Sequence, residues 1–400
     1  MTQPAPEPAK IAVLIPQFPG QTHIFFWREI AHLEAMGIDV TLISTRKPPK
    51  GLIAHKWSDE AMARTLYLGL PLGDAAAALQ QLPRLLQGQS DVGPLRDLLV
   101  AAPAARKLKR LMEDRGIEHV HVHSCGRAAL VAALARRMGG ATYSLTLHGP
   151  LSDYGPGQGF KWRFAAFGTV ITEKLKSEMV KSLAGDLPDR LPVRPMGVDT
   201  DVLRRESAYQ PARDGEKLRL FSCARLNVVK GHQDLLQAVR ILLDQGLDVE
   251  LEIAGEDDDG GSGFHSDLQA QLEKLGLQDH ARLLGAIDAD QVREKLLAAH
   301  CFVLASWHEP LGVAYMEAMS CEVPTIGTNA GGVPELIRDG IDGLMVPPKD
   351  PQALARAIGR IAAKPDLARK LAKAGRARIK AGFRAELGAE TLMAEMARLR

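Results

Sequence analysis

Two carboxylates, Glu309 and Glu317, stand in the run Ser306-Trp-His-Glu-Pro-Leu-Gly-Val-Ala-Tyr-Met-Glu317-Ala-Met. The residues before them, Cys301-Phe-Val-Leu-Ala-Ser306, read as a short buried strand, and those from Gly312 onward as a helix. One carboxylate then lies in the strand-to-helix loop and the other just inside the helix. Between them the helix start offers N–H groups that no helix bond uses, at the positive end of its dipole, a natural seat for phosphate. A phosphate seat between two carboxylates suits a ligand with an anionic middle and hydroxyl-rich ends. A nucleotide-sugar has that shape.

Cations of the right kind occur upstream, in Ala224-Arg225-Leu-Asn-Val-Val-Lys230-Gly231, directly after a predicted strand at Leu218–Ala224. Arg225 can fork onto phosphate oxygens, and Lys230 adds a mobile point charge. A surface arginine and a lysine at a helix start would be the plainer reading of either residue alone. Further upstream, His119, His121 and His123 alternate along one strand and so share a face. That invites a metal reading, but neighbouring ligands on one strand rarely close a tetrahedron, so no metal is expected.

The glutamate pair is followed by Pro324-Thr-Ile-Gly-Thr-Asn-Ala-Gly-Gly-Val-Pro-Glu335-Leu-Ile and Gly340-Ile-Asp-Gly-Leu-Met-Val-Pro-Pro-Lys-Asp350. Together these motifs resemble the retaining glycosyltransferases of family 4, which have the GT-B architecture. The resemblance implies two Rossmann-like α/β domains facing a central cleft. It also implies transfer of a hexose-type sugar from a nucleotide-diphosphate-sugar with retention at the anomeric carbon. In it Arg225 and Lys230 hold the diphosphate, Glu309 meets hydroxyls of the sugar, and Glu317 meets those of the ribose. The backbone N–H groups of Leu311, Gly312 and Val313 would sit on the diphosphate. Thr146-Leu-His148-Gly149 resembles the family's Thr-x-His-Gly, which puts His148 near the reacting face of the sugar, where it could donate a hydrogen bond to a hydroxyl. Gly20, in the loop Pro16-Gln-Phe-Pro-Gly20-Gln-Thr-His23, would let donor or acceptor approach closely. His123 and His23 are acceptor-side candidates. No carboxylate is obviously placed as a nucleophile, which favours front-face attack with the departing phosphate taking the acceptor's proton. Lys230 and Arg225 would do the work of a metal, so no cofactor is expected beyond the donor. A UDP-sugar is favoured and a GDP-sugar comes next.

The opening Phe18-Pro-Gly-Gln-Thr-His-Ile-Phe-Phe-Trp-Arg-Glu-Ile30 resembles bacterial exopolysaccharide and cell-envelope transferases, with Gln21-Thr-His-Ile24 in place of their usual Ser-Glu-Thr-Phe. The expected acceptor is a lipid-linked saccharide or a membrane lipid. A soluble acceptor, a sugar-nucleotide epimerase of the same architecture and a non-catalytic partner in an envelope assembly complex are the alternatives. Phe160-Lys-Trp-Arg-Phe164-Ala-Ala-Phe167 has rings at i, i+4 and i+7 with Lys161, Trp162 and Arg163 off that face. It reads either as a core stripe or as an interfacial helix on the cytoplasmic membrane face.

These residues need a scaffold. Strands are predicted at Lys10–Ile15, Gly37–Ile43, Ile117–His123, Thr142–Leu147 and 170–172, then at Leu218–Ala224, Val249–Ala254, 282–284, Cys301–Ala305 and 324–327. Helices fall between them: one carrying Phe26, Ile30 and Leu33, one at 104–115 stopped by Gly116, and one at 128–138. The alternation implies parallel sheets. Pro192 to Pro211 reads as the linker between an acceptor-binding domain at 1–196 and a nucleotide-sugar-binding domain at 212–384. The resemblance implies that a last helix, 385–400, packs back on the first domain. Four hundred residues, 46% of them hydrophobic and 24% charged, suit a two-domain globular protein. The first 200 residues carry 24 Lys and Arg against 18 Asp and Glu (net +6), and the rest 26 against 30 (net −4). That asymmetry is modest and shows no concentrated basic stripe for nucleic acid. The four scattered cysteines favour a reducing cytoplasm. The N-terminal Met-Thr-Gln-Pro-Ala-Pro-Glu-Pro reads as a short disordered lead, and the polar loop 257–263 as no metal site.

Overall fold

The computed structural model describes residues 9–20, 22–49, 56–257 and 263–399. The N-terminal lead, Gln21 and most of the 257–263 loop lie outside them. The chain forms two compact units. One holds the residues up to Pro195 together with those from Gly388 onward, and the other holds Met196–Leu387 with Lys56.

The first unit is built on six strands: β1 (Lys10–Gln17), β2 (Asp39–Arg46), β3 (Leu66–Tyr67), β4 (His119–Val122), β5 (Thr142–Leu147) and β6 (Phe167–Val170). They pair in parallel in the order β3-β2-β1-β4-β5-β6. Ile11 to Leu14 in β1 are wholly buried, as expected for a strand covered on both faces. The helix Ile24–Ala35 turns Phe26, Glu29, Ile30 and Leu33 inward. The helix Leu95–Arg115 ends at Gly116, whose φ of 66° is the left-handed cap that glycine favours. It begins nine residues before the predicted start, because Pro94 and Leu95 open a turn that alanine-rich sequence continues. Its neighbour Arg127–Arg137 buries every residue from Ala128 to Ala135.

The second unit repeats the winding with β7 (Leu218–Cys223), β8 (Val249–Ala254), β9 (Ala281–Leu283), β10 (Cys301–Val303), β11 (Thr325–Thr328) and β12 (Leu344–Val346), in the order β12-β11-β10-β7-β8-β9. Its core joins Leu220, Leu235, Val239, Ile253, Val303, Ile326 and Ile358. In each sheet the winding reverses beside the first strand, between β1 and β4 and between β7 and β10. Ligands of such sheets bind outside the carboxyl ends of strands at this switch point. Those ends carry Pro16–Gly20 and His123–Gly126 in the first unit, and Ala224–Lys230 and Leu304–Gly312 in the second.

Some local expectations shift. The strand placed at 170–172 lies at Phe167–Val170, and Thr172 instead caps the helix Glu173–Ser182, its hydroxyl accepting from the Leu175 N–H. β3, only two residues long, and β12 add an edge strand to each sheet beyond those expected from the sequence. The aromatic stripe is not one helix: Gln158–Arg163 is a single short turn of helix and Phe167 belongs to β6. Phe160 and Trp162 are wholly buried and Lys161 nearly so, its ammonium donating to the Tyr154 carbonyl at 3.1 Å. The core reading of the stripe therefore holds, and Trp162 and Lys161 join it. The proline-bearing stretch after Met196 lies along the second unit, where Arg376 donates to the carbonyls of Thr200 and Leu203 and the Tyr209 hydroxyl to that of His300.

The last helix, Glu386–Ala397, contacts the first unit through named pairs. Arg194 donates to the Thr391 hydroxyl at 2.9 Å, and Arg190 lies 3.2 Å from the Glu395 carboxylate. Among the described residues no helix is long and apolar enough to cross a membrane.

Candidate active site

In the second unit the loop after β7 is pinned by the Leu226 N–H, which donates to the Glu256 carbonyl. It then turns through a short 3-10 helix, Val228–Lys230. Gly231 follows at φ 69°, and a Cβ there would lie 1.9 Å from the Ala305 carbonyl oxygen. Only glycine lets this loop rest against the end of β10. The Trp307 N–H donates to the Val229 carbonyl at 2.8 Å and completes the join.

That join brings two site residues together. Lys230 Nζ lies 2.6 Å from Glu309 Oε2, with both side chains largely buried. The Ser306 hydroxyl donates to the same oxygen at 3.3 Å. The Glu309 carbonyl accepts from the Gly332 N–H, and Gly331 packs so closely on it that a Cβ would meet it at 1.9 Å. The Ala-Gly-Gly turn of the sequence motif therefore clamps the backbone that carries Glu309. Gly312, at φ 98°, opens the helix Val313–Ser320, and Leu311 is buried. The first-turn N–H groups of this helix have no partner within it. Glu317 is half-buried one turn inside. Its charge adds to burial in pushing the Cys223 thiol, at the end of β7, up to about 12. Arg225 is exposed on the same loop as Lys230.

Supporting groups that the sequence did not single out surround this pair. The Trp307 indole donates to Asp234 at 2.5 Å, and Lys349 lies 4.2 Å from the centre of its ring. Burial raises the Asp234 carboxyl above its ordinary range, and the indole bond opposes this. No spacing rule links Asp234 to Trp307, so nothing in the sequence pointed to them.

In the first unit, β4 and β5 are joined by a ladder of histidines and hydroxyls. His119 lies 2.8 Å from both the Thr142 and Ser144 hydroxyls, and His121 lies 2.8 Å from that of Ser144 and 3.0 Å from that of Thr146. The parallel register sets His119 against Thr142 and His121 against Ser144. Burial holds His119 and His123 at about 3, and His121 well below its ordinary value, so all three are neutral. His123 meets His148 at 3.3 Å between ring nitrogens. His148, half-buried at the end of β5, is also held at about 3 by burial and by His123. Phe26 packs on both rings, its centroid 4.5 Å from that of His123 and 5.4 Å from that of His148. The room beside Gly20 is taken by the His23 imidazole, 2.6 Å from where a Cβ would stand. Glu29, Oε1 of which lies 3.1 Å from His123 Nε2, is the buried member that sequence reasoning missed. Its signal was a carboxylate on the apolar face of a helix, three residues after Phe26.

Glu29, His121 and His123 bring their ligand-type atoms within 4.8 Å of one another. Both ring nitrogens of His121 are already engaged by hydroxyls, so the trio is not read as a metal centre. Close by, at the ends of β1 and β4, a pocket of about 360 Å³ is lined by Pro16, Ser124, Gly126, Arg127, Tyr154 and Lys161 among others.

Two doubly wound six-stranded parallel sheets, with charged loops at their switch points, are the architecture of the GT-B fold. Comparison with known proteins gives the family. The model of the 4-like glycosyl transferase domain matches residues 23–171, and that of glycosyl transferases group 1 matches residues 204–378. The chain is 30% identical over 291 residues to the putative glycosyltransferase EpsD of Bacillus subtilis, covering 68% of this chain and 74% of that one. It is 27% identical over 379 residues to the putative colanic acid biosynthesis glycosyltransferase WcaL of Salmonella typhimurium, covering 86% and 89%. The structure of Anabaena HepE in complex with UDP superposes with a TM-score of 0.76 at 17% identity, over 98% of this chain and all of that one. The chain belongs to the family 4 glycosyltransferases of GT-B fold, and it is a glycosyltransferase enzyme.

Proposed function

We propose that this enzyme moves a hexose-type sugar, with retention, from a nucleotide-diphosphate-sugar to a lipid-linked saccharide or membrane lipid in envelope glycan or glycolipid synthesis. The observation that carries the donor half is the Lys230–Glu309 pair beside the start of the helix Val313–Ser320. Lys230 and Arg225 balance the diphosphate, and the N–H groups of Leu311, Gly312 and Val313 bind its oxygens. Glu309 orients Lys230 and accepts from sugar hydroxyls, Glu317 accepts from the ribose, and His148 hydrogen-bonds the transferred sugar. The acceptor is assigned to the first unit, on the side of Gly20, His23 and His123.

In the step itself an acceptor hydroxyl oxygen bonds to the anomeric carbon as the bond from that carbon to the phosphate oxygen breaks. The hydroxyl proton passes to the departing phosphate oxygen. The enzyme contributes orientation and stabilisation of the negative charge that grows on the diphosphate. The acceptor class draws support from the name of WcaL, a putative glycosyltransferase of colanic acid biosynthesis. Contact with the inner face of the membrane belongs to this reading and is checked by sedimentation with anionic vesicles.

The deciding experiment is a calorimetric screen of UDP, GDP, ADP and their sugars in EDTA. Binding of one diphosphate, weakened by Glu317→Ala, with turnover depressed by Lys230→Ala, supports the assignment; UDP is the first to try. No binding of any of them overturns the donor site.

A further inference from the structure

The buried carboxylate of Glu29 has no part assigned to it above, yet it ends a chain of polar atoms that runs through His123, on the proposed acceptor side, to His148. Glu29 is 5% exposed and His123 is 3% exposed. Glu29 Oε1 and His123 Nε2 are 3.1 Å apart, and neither atom has a hydrogen-bond partner among the described residues, so each is the nearest polar atom open to the other. The other nitrogen of His123 faces His148 Nε2 at 3.3 Å. His121 does not compete for this path, because hydroxyls of Ser144 and Thr146 hold both its nitrogens.

We infer that Glu29 is a positioning residue, which through His123 fixes which ring nitrogen of His148 carries the proton. An ionised carboxylate only accepts, so His123 must present Nε2–H to it. A neutral imidazole has one N–H, which leaves His123 Nδ1 bare. His148 must then donate from Nε2, and its own Nδ1 is left as an acceptor. A sugar hydroxyl meeting His148 Nδ1 is the donor of that bond, the reverse of the sense suggested by the Thr-x-His-Gly resemblance. Burial supports the scheme by keeping both imidazoles neutral. The helix Glu386–Ala397 holds the carboxylate from its other side, for a Cβ at Gly388 would lie 2.7 Å from Glu29 Oε2. The consequence for catalysis rests on the role of His148 proposed above, whereas the tautomer assignment does not.

The full chain labelled with 15N-histidine, read by long-range 1H–15N correlation at neutral pH, tests it. His123→Asn and His148→Asn assign the two rings. Both rings are expected as the Nε2–H form in the wild type. Glu29→Gln, whose amide can also donate, is expected to move both toward the Nδ1–H form and to lower kcat about tenfold with donor KM unchanged. Gly388→Ala, which crowds the carboxylate and keeps its chemistry, is expected to move the same two rings by a smaller amount. It serves also if Glu29→Gln does not fold. A wild-type His148 protonated on Nδ1, or a His148 tautomer unmoved in both variants, overturns the relay. Wild-type turnover in His148→Asn overturns the catalytic role of His148, while the tautomer result still decides the relay.

Discussion

Lys230 and Glu309 show how one residue's worth depends on its partner. Side chains this buried carry an electrostatic attraction that roughly offsets their loss of water, so removing one partner is costly where removing both is not. Lys230→Ala is therefore expected to destabilise the protein by about 3 kcal/mol as well as to slow turnover about 100-fold, the scale of losing one preorganised group at a developing negative charge. Pairing Lys230→Met with Glu309→Gln should return most of the melting temperature and none of the activity. Thermal melts and initial rates on the same samples check both, and a double variant that recovers activity would show the pair to be structural only. At this scale the candidates Arg225, Lys230, Glu309 and Glu317 could be picked out of the sequence because they sit in local motifs. Glu29 was not, since one carboxylate among the apolar residues of a helix does not say what it faces.

Elements place these residues, and glycine decides how closely they approach. Gly231 combines φ 69° with a carbonyl at 1.9 Å from a would-be Cβ, whereas the space around Gly116 holds only the flexible end of Lys10 at 4.0 Å. Gly116→Ala should cost about 1 kcal/mol, the ordinary price of a left-handed cap. Gly231→Ala should cost more than about 2 kcal/mol, since backbone must move, and should impair nucleotide binding by displacing Lys230. Chemical denaturation of the two variants side by side checks the order. The ladder between β4 and β5 makes a second prediction. A histidine lowered to about 3 in the folded state but titrating near 6.5 when unfolded leaves the unfolded chain holding the extra proton between those values. Stability is then complete above pH 6.5 and falls as pH drops toward 3. From pH 6.5 to 5 each such ring removes up to about 2 kcal/mol. Glu29, raised by burial, opposes the trend because its folded form takes up a proton first. Melting temperature should still fall over this range, and His119→Gln should flatten the slope.

For the whole molecule, the chain returns at its end to the unit where it began. Leu392 and Met396 are buried there, and Arg190 and Arg194 meet Glu395 and Thr391. A chain stopped after Ala385 should lose several kcal/mol from the first unit, at about 2 kcal/mol for each large apolar side chain exposed. Hydrogen exchange should quicken in β4 and the helix Ile24–Ala35 and leave β7 to β12 protected. Equal loosening of both sheets would contradict this division.

The amino-acid order by itself determined the alternation of strands and helices, the parallel winding, and the charged motifs at strand ends, because each is written within a few turns of chain. Periodicity told which face of a segment is apolar. Only the tertiary structure decided what each face meets. It set Lys230 against Glu309 across 79 positions and Glu29 against His123, and it took Lys161 and Trp162 into the core although they stood off the phenylalanine face. Contacts between distant segments depend on how sheets and helices close over one another, and no local spacing records that closure.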